Sequence, residues 1–345
     1  MEKVVIWGAG VKGEAVFSLI DKSTGGNYDV ICFIDNNPDL TGTSLCSKTV
    51  HSSDILLELD VNTRILIASK GFISIITELH LFREHRNYID AVKHIMLHKY
   101  SQQFPLCIKH IWESKRTFSS TEDGREDLIV EAVFRSIGIE TPIYCDIGAR
   151  NTTTANNTYL FYLKGASGMA VDPLPTYVNE WAEVRPRDVF LNIALANTTQ
   201  ANVPFYVVAG TGSSTLNGIR YQADVRKMKY ETIYVDQDVF NNIADKNVQW
   251  VDIDVDGLDM EILASIDFKL FPQLVVVSIE RTDSKCIDYM TRQGFSHFLT
   301  NSLNSIFIHN TIVENVFNCK LCSEIYFWHK LWLLIQDKST FDLPL

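Results

Sequence analysis

The stretch Pro142–Pro173, PIYCDIGARNTTTANNTYLFYLKGASGMAVDP, constrains this chain more than any other. An apolar run from Ile143 to Ile147, interrupted by Asp146, ends at Gly148. A polar, turn-rich segment follows. Then come a helical stretch, Thr158 to Lys164, and a second short apolar run, Gly168 to Val171, closed by Asp172. The order predicts strand, loop, helix, strand, with an acid at the end of the second strand. Such a unit suits a nucleoside-like ligand. A glycine after the first strand allows close backbone approach. The helix start offers N–H groups without intrahelical partners. A carboxylate there can accept bonds from both ribose hydroxyls. An ordinary βαβ unit has the same outline, so the pattern alone leaves both readings open.

The chain has 345 residues, enough for two domains, and an apolar fraction of 46% with 21% charged residues, enough for a sizeable core. Its net charge of −11 argues against nucleic acid or an anionic membrane surface as the main partner. Seven scattered cysteines, two of them (Cys32 and Cys145) inside predicted strands, read as reduced thiols of a cytoplasmic protein. Cys319 and Cys322 form one CxxC without a second pair, a poor zinc signal. Gly8 interrupts the only N-terminal apolar run, so no signal peptide is expected. No apolar stretch approaches the roughly 20 residues that span a bilayer.

Residues 1–95 read as a small Rossmann-like domain of the nucleotide-binding type. A strand, Lys3 to Trp7, runs into Gly8-Ala9-Gly10-Val11-Lys12-Gly13, which opens a helix from Glu14 to Asp21. A second strand, Asp29 to Ile34, is capped by Asp35. Strand before, helix after and an acid about 20 residues on are the context a dinucleotide fingerprint requires. Gly8, Gly10, Gly13 and Asp35 are therefore a candidate second nucleotide-type site. A helix is expected over Ser52–Leu59, a strand over Arg64–Ala68 and a further helix from Ile73 to about His85. The stretches WGAGVKGEAV and CFIDNNPDLTG resemble the small N-terminal domain of sugar acyltransferases and other bacterial glycan-assembly proteins. In those proteins it holds a nucleotide sugar or serves as a structural module.

Residues 96–141 read as a helical connector, with a capping signal at Ser120–Asp123 and Gly138 at a helix end. The second domain is expected over 142–318. After Asp172 the pattern gives a helix, Thr176 to Val184, and a turn, Arg185-Pro186-Arg187-Asp188. A strand from Val189 to Ala196 carries Asn192 at its middle. Further strands are expected over Phe205–Val208 and Tyr230–Val235, with a Gly/Ser loop over Gly210–Gly218 and a helix over Gln237–Ile243. In Val248–Leu263, VQWVDIDVDGLDMEIL, strand periodicity places Val251, Ile253 and Val255 on one face and Asp252, Asp254 and Asp256 on the other. Three carboxylates at alternate positions repel unless a cation, a ligand or shared protons compensate, which makes this strand end a candidate site. The alternative is a solvated edge with Asp256 capping a helix. Leu274–Ile279, ending in Glu280, reads as a central parallel strand. Phe295–Leu299 and Ser305–His309 are the last two strands.

From about Glu126 to His309 the chain resembles the FkbM-type S-adenosylmethionine-dependent methyltransferases. The resemblance is carried by YCDIGA, NNTYLFYLKG, GMAVDPLP, RPRDVFLNIALA, DIDVDGLDMEIL and SIE. NTYLFYLKG and RPRD resemble a subgroup associated with polysaccharide and lipopolysaccharide loci. The resemblance implies an α/β fold: a mostly parallel methyltransferase-type sheet with a reversed final strand and helices on both faces. It also implies that the methyl donor lies at the strand ends around Gly148. The donor-binding set expected from this is Asp146, Gly148, Ala149, Arg150, Asn157, Thr158, Asp172, Pro173, Asn192, Ala194 and Asp252, with the charge of Arg150 suited to the donor carboxylate. This chain departs from the family's usual pattern in its glycine loop and at Asp252 and Asp256.

The implied activity is O-methylation of a sugar hydroxyl of a surface glycan or its nucleotide-linked precursor. A hydroxyl needs help losing its proton, so Asp254, Asp256, Glu280, His297 and His309 are the candidate bases. A divalent cation on Asp252 and Asp254 is an alternative means. Two other functions fit the sequence: a non-catalytic binding module in a glycan-assembly complex, and an NAD-dependent oxidoreductase. The latter lacks a catalytic Tyr/Lys or Cys arrangement near the GxGxxG turn. Finally, SEIYFWHKLWLLIQ, Ser323–Gln336, is apolar most of the way round a helix, with Ile325, Trp328, Trp332 and Ile335 on one stripe and Phe327, Leu331 and Leu334 on another. Such a helix must be buried. Packing between the domains or a homodimer through this helix is expected.

Overall fold

The structure is a computed structural model. It describes residues 2–24, 28–60, 63–69, 75, 88–90, 100, 102–114, 125–196, 199–208, 214–215, 228–236, 238–255, 257–280, 283–301 and 304–337. The chain divides into two compact units, Met1–Ile108 with Leu331–Leu345, and Lys109–Lys330. Each is a mostly parallel sheet with helices, an α/β architecture of two Rossmann-like units.

In the first unit, strands β1 (Glu2–Trp7), β2 (Tyr28–Ile34), β3 (Ser44–Leu45), β4 (Lys48–His51), β5 (Arg64–Ile67) and β6 (Tyr88–Asp90) form a sheet in the order β3-β4-β2-β1-β5-β6. Only the β3–β4 pair is antiparallel. The apolar run of β1 is continuous because both faces are covered. Val4 and Ile6 pack with Val16 and Ile20 of helix α1 (Val11–Thr24). Val5 and Trp7 pack on the other face with Leu56, Ile65 and Ile67. The helix expected over Ser52–Leu59 is a short 3-10 turn, Ser53–Leu57. Apart from Ile75, the helix expected from Ile73 to His85 lies outside the described residues.

Helix α2 (Glu126–Ser136) of the second unit follows a short π-helical segment, Ile108–Trp112. Gly138, at φ +75°, ends it, with the Ile139 N–H returning to the Phe134 carbonyl. The Ser120–Asp123 capping signal lies outside the described residues, and Arg125 occupies the N-cap position in a left-handed conformation. Strands β7 (Tyr144–Ile147), β8 (Gly168–Val171) and β9 (Val189–Leu191) follow, with helices α3 (Tyr159–Leu163) and α4 (Val178–Val184) between them. Strands β10 (Gln200–Val208), β11 (Ser214–Thr215) and β12 (Met228–Val235) pair with one another as a separate antiparallel sheet in the order β11-β10-β12. Helix α5 (Val239–Ile243), β13 (Trp250–Ile253), α6 (Asp259–Ser265), β14 (Val276–Ile279), α7 (Ser284–Arg292), β15 (Phe295–Thr300) and β16 (Ser305–His309) complete the core.

The main sheet has the order β15-β16-β14-β13-β7-β8-β9, and only β16 runs antiparallel to its neighbours. The chain leaves β7 toward β8 and β9, then returns to the other side through β13. The β7–β13 boundary is therefore the point where strand order reverses, and ligands of open parallel sheets bind at the carboxyl ends there. One face of these strands is a dry core of Cys145, Ile147, Val251, Ile253, Val277, Ile279 and Phe307. By the two-residue alternation, the other face carries Asp146, Asp252 and Ser278 in one row, register partners across three strands.

Helices α8 (Val313–Asn318) and α9 (Lys320–Asp337) close the chain. Cys322, Ile325 and Trp328 of α9 are buried within the second unit. The Cys322 thiol donates to the Ala132 carbonyl at 3.3 Å, and the Trp328 ring lies 6.2 Å from that of Trp112. The first half of the helix thus packs on its own chain, leaving Phe327 57% exposed.

Candidate functional site

The end of β7 is shaped by Gly148, at φ +90°. A Cβ there would come within 1.8 Å of the Asp254 carbonyl oxygen, so the glycine is demanded by the neighbouring strand end before any ligand is considered. Arg150 follows at φ +51°. Its N–H donates to Asp172 Oδ2 at 3.0 Å, and the Leu174 N–H donates to Asp172 Oδ1 at 2.9 Å. Asn192 donates its amide to the Asp172 carbonyl at 3.0 Å, which fixes the backbone under that carboxylate. The expected strand Val189–Ala196 stops at Leu191, and Asn192 sits just past its end rather than at its middle. Ala149 and Ala194 are buried and Pro173 is half-buried.

The loop after Gly148 is pinned from below by its own asparagines. Asn156 donates to Asp146 Oδ2 at 3.1 Å, and the Thr158 hydroxyl donates to the same oxygen at 2.7 Å. Asn157 donates to Asp252 Oδ2 at 2.8 Å, while the Ser278 hydroxyl holds Asp252 Oδ1. Burial pushes the Asp146 and Asp252 carboxyls up. For Asp252 the adjacent Asp146 charge and, less strongly, that of Glu126 add to it. Burial likewise raises Asp172 to about 6, against the lowering pull of the Leu174 and Arg150 N–H groups.

A fully buried guanidinium braces this loop. Arg185, in the RPRD turn, pairs with Asp188 at 2.7 Å and donates to Asn156 Oδ1 at 2.8 Å, the Tyr144 hydroxyl at 2.8 Å and Thr158 Oγ1 at 3.0 Å. Its plane lies 4.4 Å from the Trp181 ring centroid. Asp188 also accepts the Tyr144 hydroxyl and the Gly168 N–H, both at 2.9 Å. Thr152 donates backbone and hydroxyl to Glu180, and the Trp181 ring N–H donates to the Arg150 carbonyl at 2.7 Å. Sequence reading took the RPRD segment as a turn and missed Asn156, Ser278 and Arg185 as site-shaping residues. The signal available was an Arg and an Asp three apart beside a strand.

Not every expected residue joins this cluster. Asp254 and Glu280 follow β13 and β14 at the carboxyl end of the sheet, half-buried, with backbone N–H groups bonded to Ile147 and Ile253. Asp256 lies outside the described residues. His297 is on β15, three strand spacings, or about 14 Å, from β13. Its Nε2 pairs with the Thr300 hydroxyl at 2.8 Å. His309 pairs in register with Phe295, at the amino end of β14, opposite the Gly148 end. Neither histidine is brought to the site, because β15 is the edge strand and β16 runs the other way. Among the described residues no three His, Cys, Asp or Glu side chains come together to hold a metal. Cys319 and Cys322 belong to no such group among the described residues.

In the first unit the three glycines differ in what surrounds them. A Cβ on Gly8, at φ +120°, would come within 2.7 Å of the Ala68 carbonyl oxygen, and one on Gly13 within 1.8 Å of the Gly8 carbonyl oxygen. Gly10 has nothing within 4 Å. Asp35 Oδ2 accepts the Ala9 N–H at 2.7 Å and its Oδ1 accepts the Asn37 N–H at 2.9 Å. The arrangement parallels Asp172: in both units the acid after the second strand holds the glycine turn and the residue two places beyond itself.

The strand order, the reversed penultimate strand of the sheet and the carboxylate-held glycine turn define a methyltransferase-type sheet. Residues 146–296 match the Methyltransferase FkbM domain, which supports an FkbM-type methyltransferase. No curated protein matches the chain. Among solved structures, UDP-D-quinovosamine 4-dehydrogenase from Vibrio fischeri matches at 24% identity and a TM-score of 0.22. That match covers 25% of this chain and 75% of that one. Among the described residues no helix is long and apolar enough to cross a membrane.

Proposed function

We propose that the second unit is an S-adenosylmethionine-dependent O-methyltransferase acting on a sugar hydroxyl of a surface polysaccharide or its nucleotide-linked precursor. The observation that carries this reading is the Asp172 carboxylate. It stands at the carboxyl end of β8, beside the β7 end that flanks the strand-order switch, is locked by the Arg150 and Leu174 N–H groups, and lies inside the matched domain. It retains lone pairs for ribose hydroxyls. The residues present fit such a donor: Arg150 offers a guanidinium, and the buried Asn157 Oδ1 has no partner among the described residues. When bound, S-adenosylmethionine supplies an already activated sulfonium methyl. The protein's task is then positioning and taking the hydroxyl proton. Asp254 and Glu280 are the described carboxylates at the strand ends suited to that proton, and Asp256 lies two residues beyond Asp254 in the sequence. Mass spectrometry of a panel of nucleotide sugars and of isolated surface glycan, incubated with the protein and methyl-labelled S-adenosylmethionine, tests the activity. A methylated hexose supports it, and unlabelled glycan throughout counts against it.

For the first unit we propose a separate nucleotide or nucleotide-sugar site at Gly8, Gly10, Gly13 and Asp35. Its support is the open space above Gly10 between two crowded glycines, which leaves that backbone free for a pyrophosphate to approach. A thermal-shift screen of UDP- and dTDP-sugars and NAD against the full chain tests it, with Gly10→Val as the blocked control. Equal shifts in both proteins, or none, would remove the proposal.

A further inference from the structure

Five of the seven cysteines are buried, and only Cys46 and Cys319 are reached by solvent. Cys319 stands at the joint of two helices. Its N–H returns to the Asn315 carbonyl of α8 at 3.1 Å, and its own carbonyl accepts the Ser323 N–H of α9 at 3.0 Å. At φ −74° and ψ 116° its backbone has the extended form of an N-cap residue. An N-cap side chain turns toward the third residue of its helix, which here is Cys322. The two thiols accordingly stand in hydrogen-bonding contact. Burial, and then Cys319 itself, raises the Cys322 thiol, against the lowering pull of Ser136 and Arg135.

A surface cavity of about 490 Å³ is lined by Ser136, Glu314, Asn315, Asn318 and Cys319. Its volume suits a small molecule. Besides the thiol, its walls offer two amides, a carboxylate and a hydroxyl, which suit the amide and ammonium groups of a short peptide. Ser136 belongs to both halves of the arrangement: it lines the cavity, and its hydroxyl reaches the Cys322 sulfur. The geometry divides the two cysteines by role. Cys319 meets what enters the cavity, and Cys322, buried behind it, meets Cys319.

We propose that Cys319 and Cys322 form a thiol–disulfide exchange site for a low-molecular-weight peptide disulfide held in this cavity. The Cys319 thiolate attacks one sulfur of the ligand's S–S bond. A disulfide between Cys319 and half of the ligand forms, and the other half leaves as a thiol with the Cys319 proton. The Cys322 sulfur then attacks Cys319 and displaces the second ligand thiol, which takes the Cys322 proton. The protein loses two hydrogens and two electrons, and the ligand disulfide gains both. Cys322 gives up its bond to the Ala132 carbonyl in that step. The order of the steps follows from the contact between the thiols: Cys319 raises Cys322 while both are free, and linking Cys319 to the ligand removes that influence.

Reduced full-length protein incubated with oxidised glutathione, then alkylated and mapped by mass spectrometry, tests this. Wild-type protein is expected to lose two of its seven thiols as one disulfide joining Cys319 to Cys322, with no glutathione retained there. Reaction at Cys319 is expected to be at least about tenfold faster than at Cys46, the other solvent-reached thiol. Cys322→Ala is expected to stop at a stable glutathione adduct on Cys319, and Cys319→Ala to take none at Cys322. The wild-type map decides the question even if a variant fails to fold. Seven thiols retained, an adduct that persists on wild-type Cys319, or equal rates at Cys319 and Cys46 would each overturn the proposal.

Discussion

Asp146 and Asp252 are register partners on the two central parallel strands, and each is gripped by a different asparagine of one loop, Asn156 on Asp146 and Asn157 on Asp252. Two acids at neighbouring positions in a sheet interior repel each other and resist ionisation. The pairing therefore places electrostatic strain directly under the loop that is proposed to hold the ligand.

That strain should appear in the pH dependence of stability. Burial, and for Asp252 the neighbouring Asp146 charge, raises these carboxyls, and Asp172 is raised to about 6. A carboxyl with a higher folded than unfolded value binds more protons when folded. Its contribution is favourable at low pH and declines as pH rises from about 4 toward the folded value. For Asp172 alone the rise from 3.8 to about 6 corresponds to about 3 kcal/mol. Glu131 behaves oppositely: burial would raise it, but His110 and Lys164 bring it down to about 2, so its contribution is lost only in acid. Urea midpoints are expected to fall between about pH 5 and about pH 8, and Asp252→Asn to flatten that fall. A midpoint that rises over this range contradicts the assignment.

Arg185 is expected to be indispensable to the second unit. Arg185→Met leaves Asp188 buried without its cation and frees Asn156, with an expected loss of about 3–5 kcal/mol. Arg185→Lys should recover little, since one ammonium cannot replace the guanidinium fork that reaches Asp188, Tyr144, Thr158 and Asn156. Denaturant unfolding of both variants checks this, and wild-type midpoints would show that the network is dispensable.

Much of the fold is legible in the sequence because its strands are continuous apolar runs and its acids sit at their ends. Asp172 and Gly148 could be located that way, and so could the switch beside β13. The buried role of Arg185 could not. A segment with two arginines, a proline and an aspartate has the composition of a surface turn, and only the fold brings Tyr144 and Thr158 to it. The separate β10–β12 sheet was hidden for a related reason, since strand partners are chosen by tertiary contact and local pattern does not record them. His297 and His309 misled because nothing in a sequence says which strand lies at the edge of a sheet or which runs in reverse.

The glycines offer a sharper contrast. Gly148→Ala and Gly13→Ala each force a Cβ to within 1.8 Å of a carbonyl oxygen and are expected to destabilise their units by at least about 2 kcal/mol. Gly10→Ala meets nothing within 4 Å and is expected to leave stability within about 0.5–1 kcal/mol of wild type. Comparable midpoints for all three would mean the turns relax freely.

Removal of the C-terminal helix tests a packing role against an interface role. A chain ending at Asn318 loses buried Cys322, Ile325 and Trp328, and its second unit is expected to melt at lower temperature. The proposed homodimer rests instead on the outer stripe, where Phe327 is exposed. Light scattering of the full chain at micromolar concentration is expected to give a dimer that Phe327→Glu dissociates. A monomeric full chain would assign the helix to packing within its own chain.

The most direct measurement of the central claim is titration of S-adenosylmethionine into the full-length protein, alongside Asp172→Ala. Saturable one-site binding is expected for the wild type, weakened at least tenfold in the variant, with the variant's circular dichroism unchanged. No binding to the wild type, or an affinity indifferent to Asp172, would contradict it.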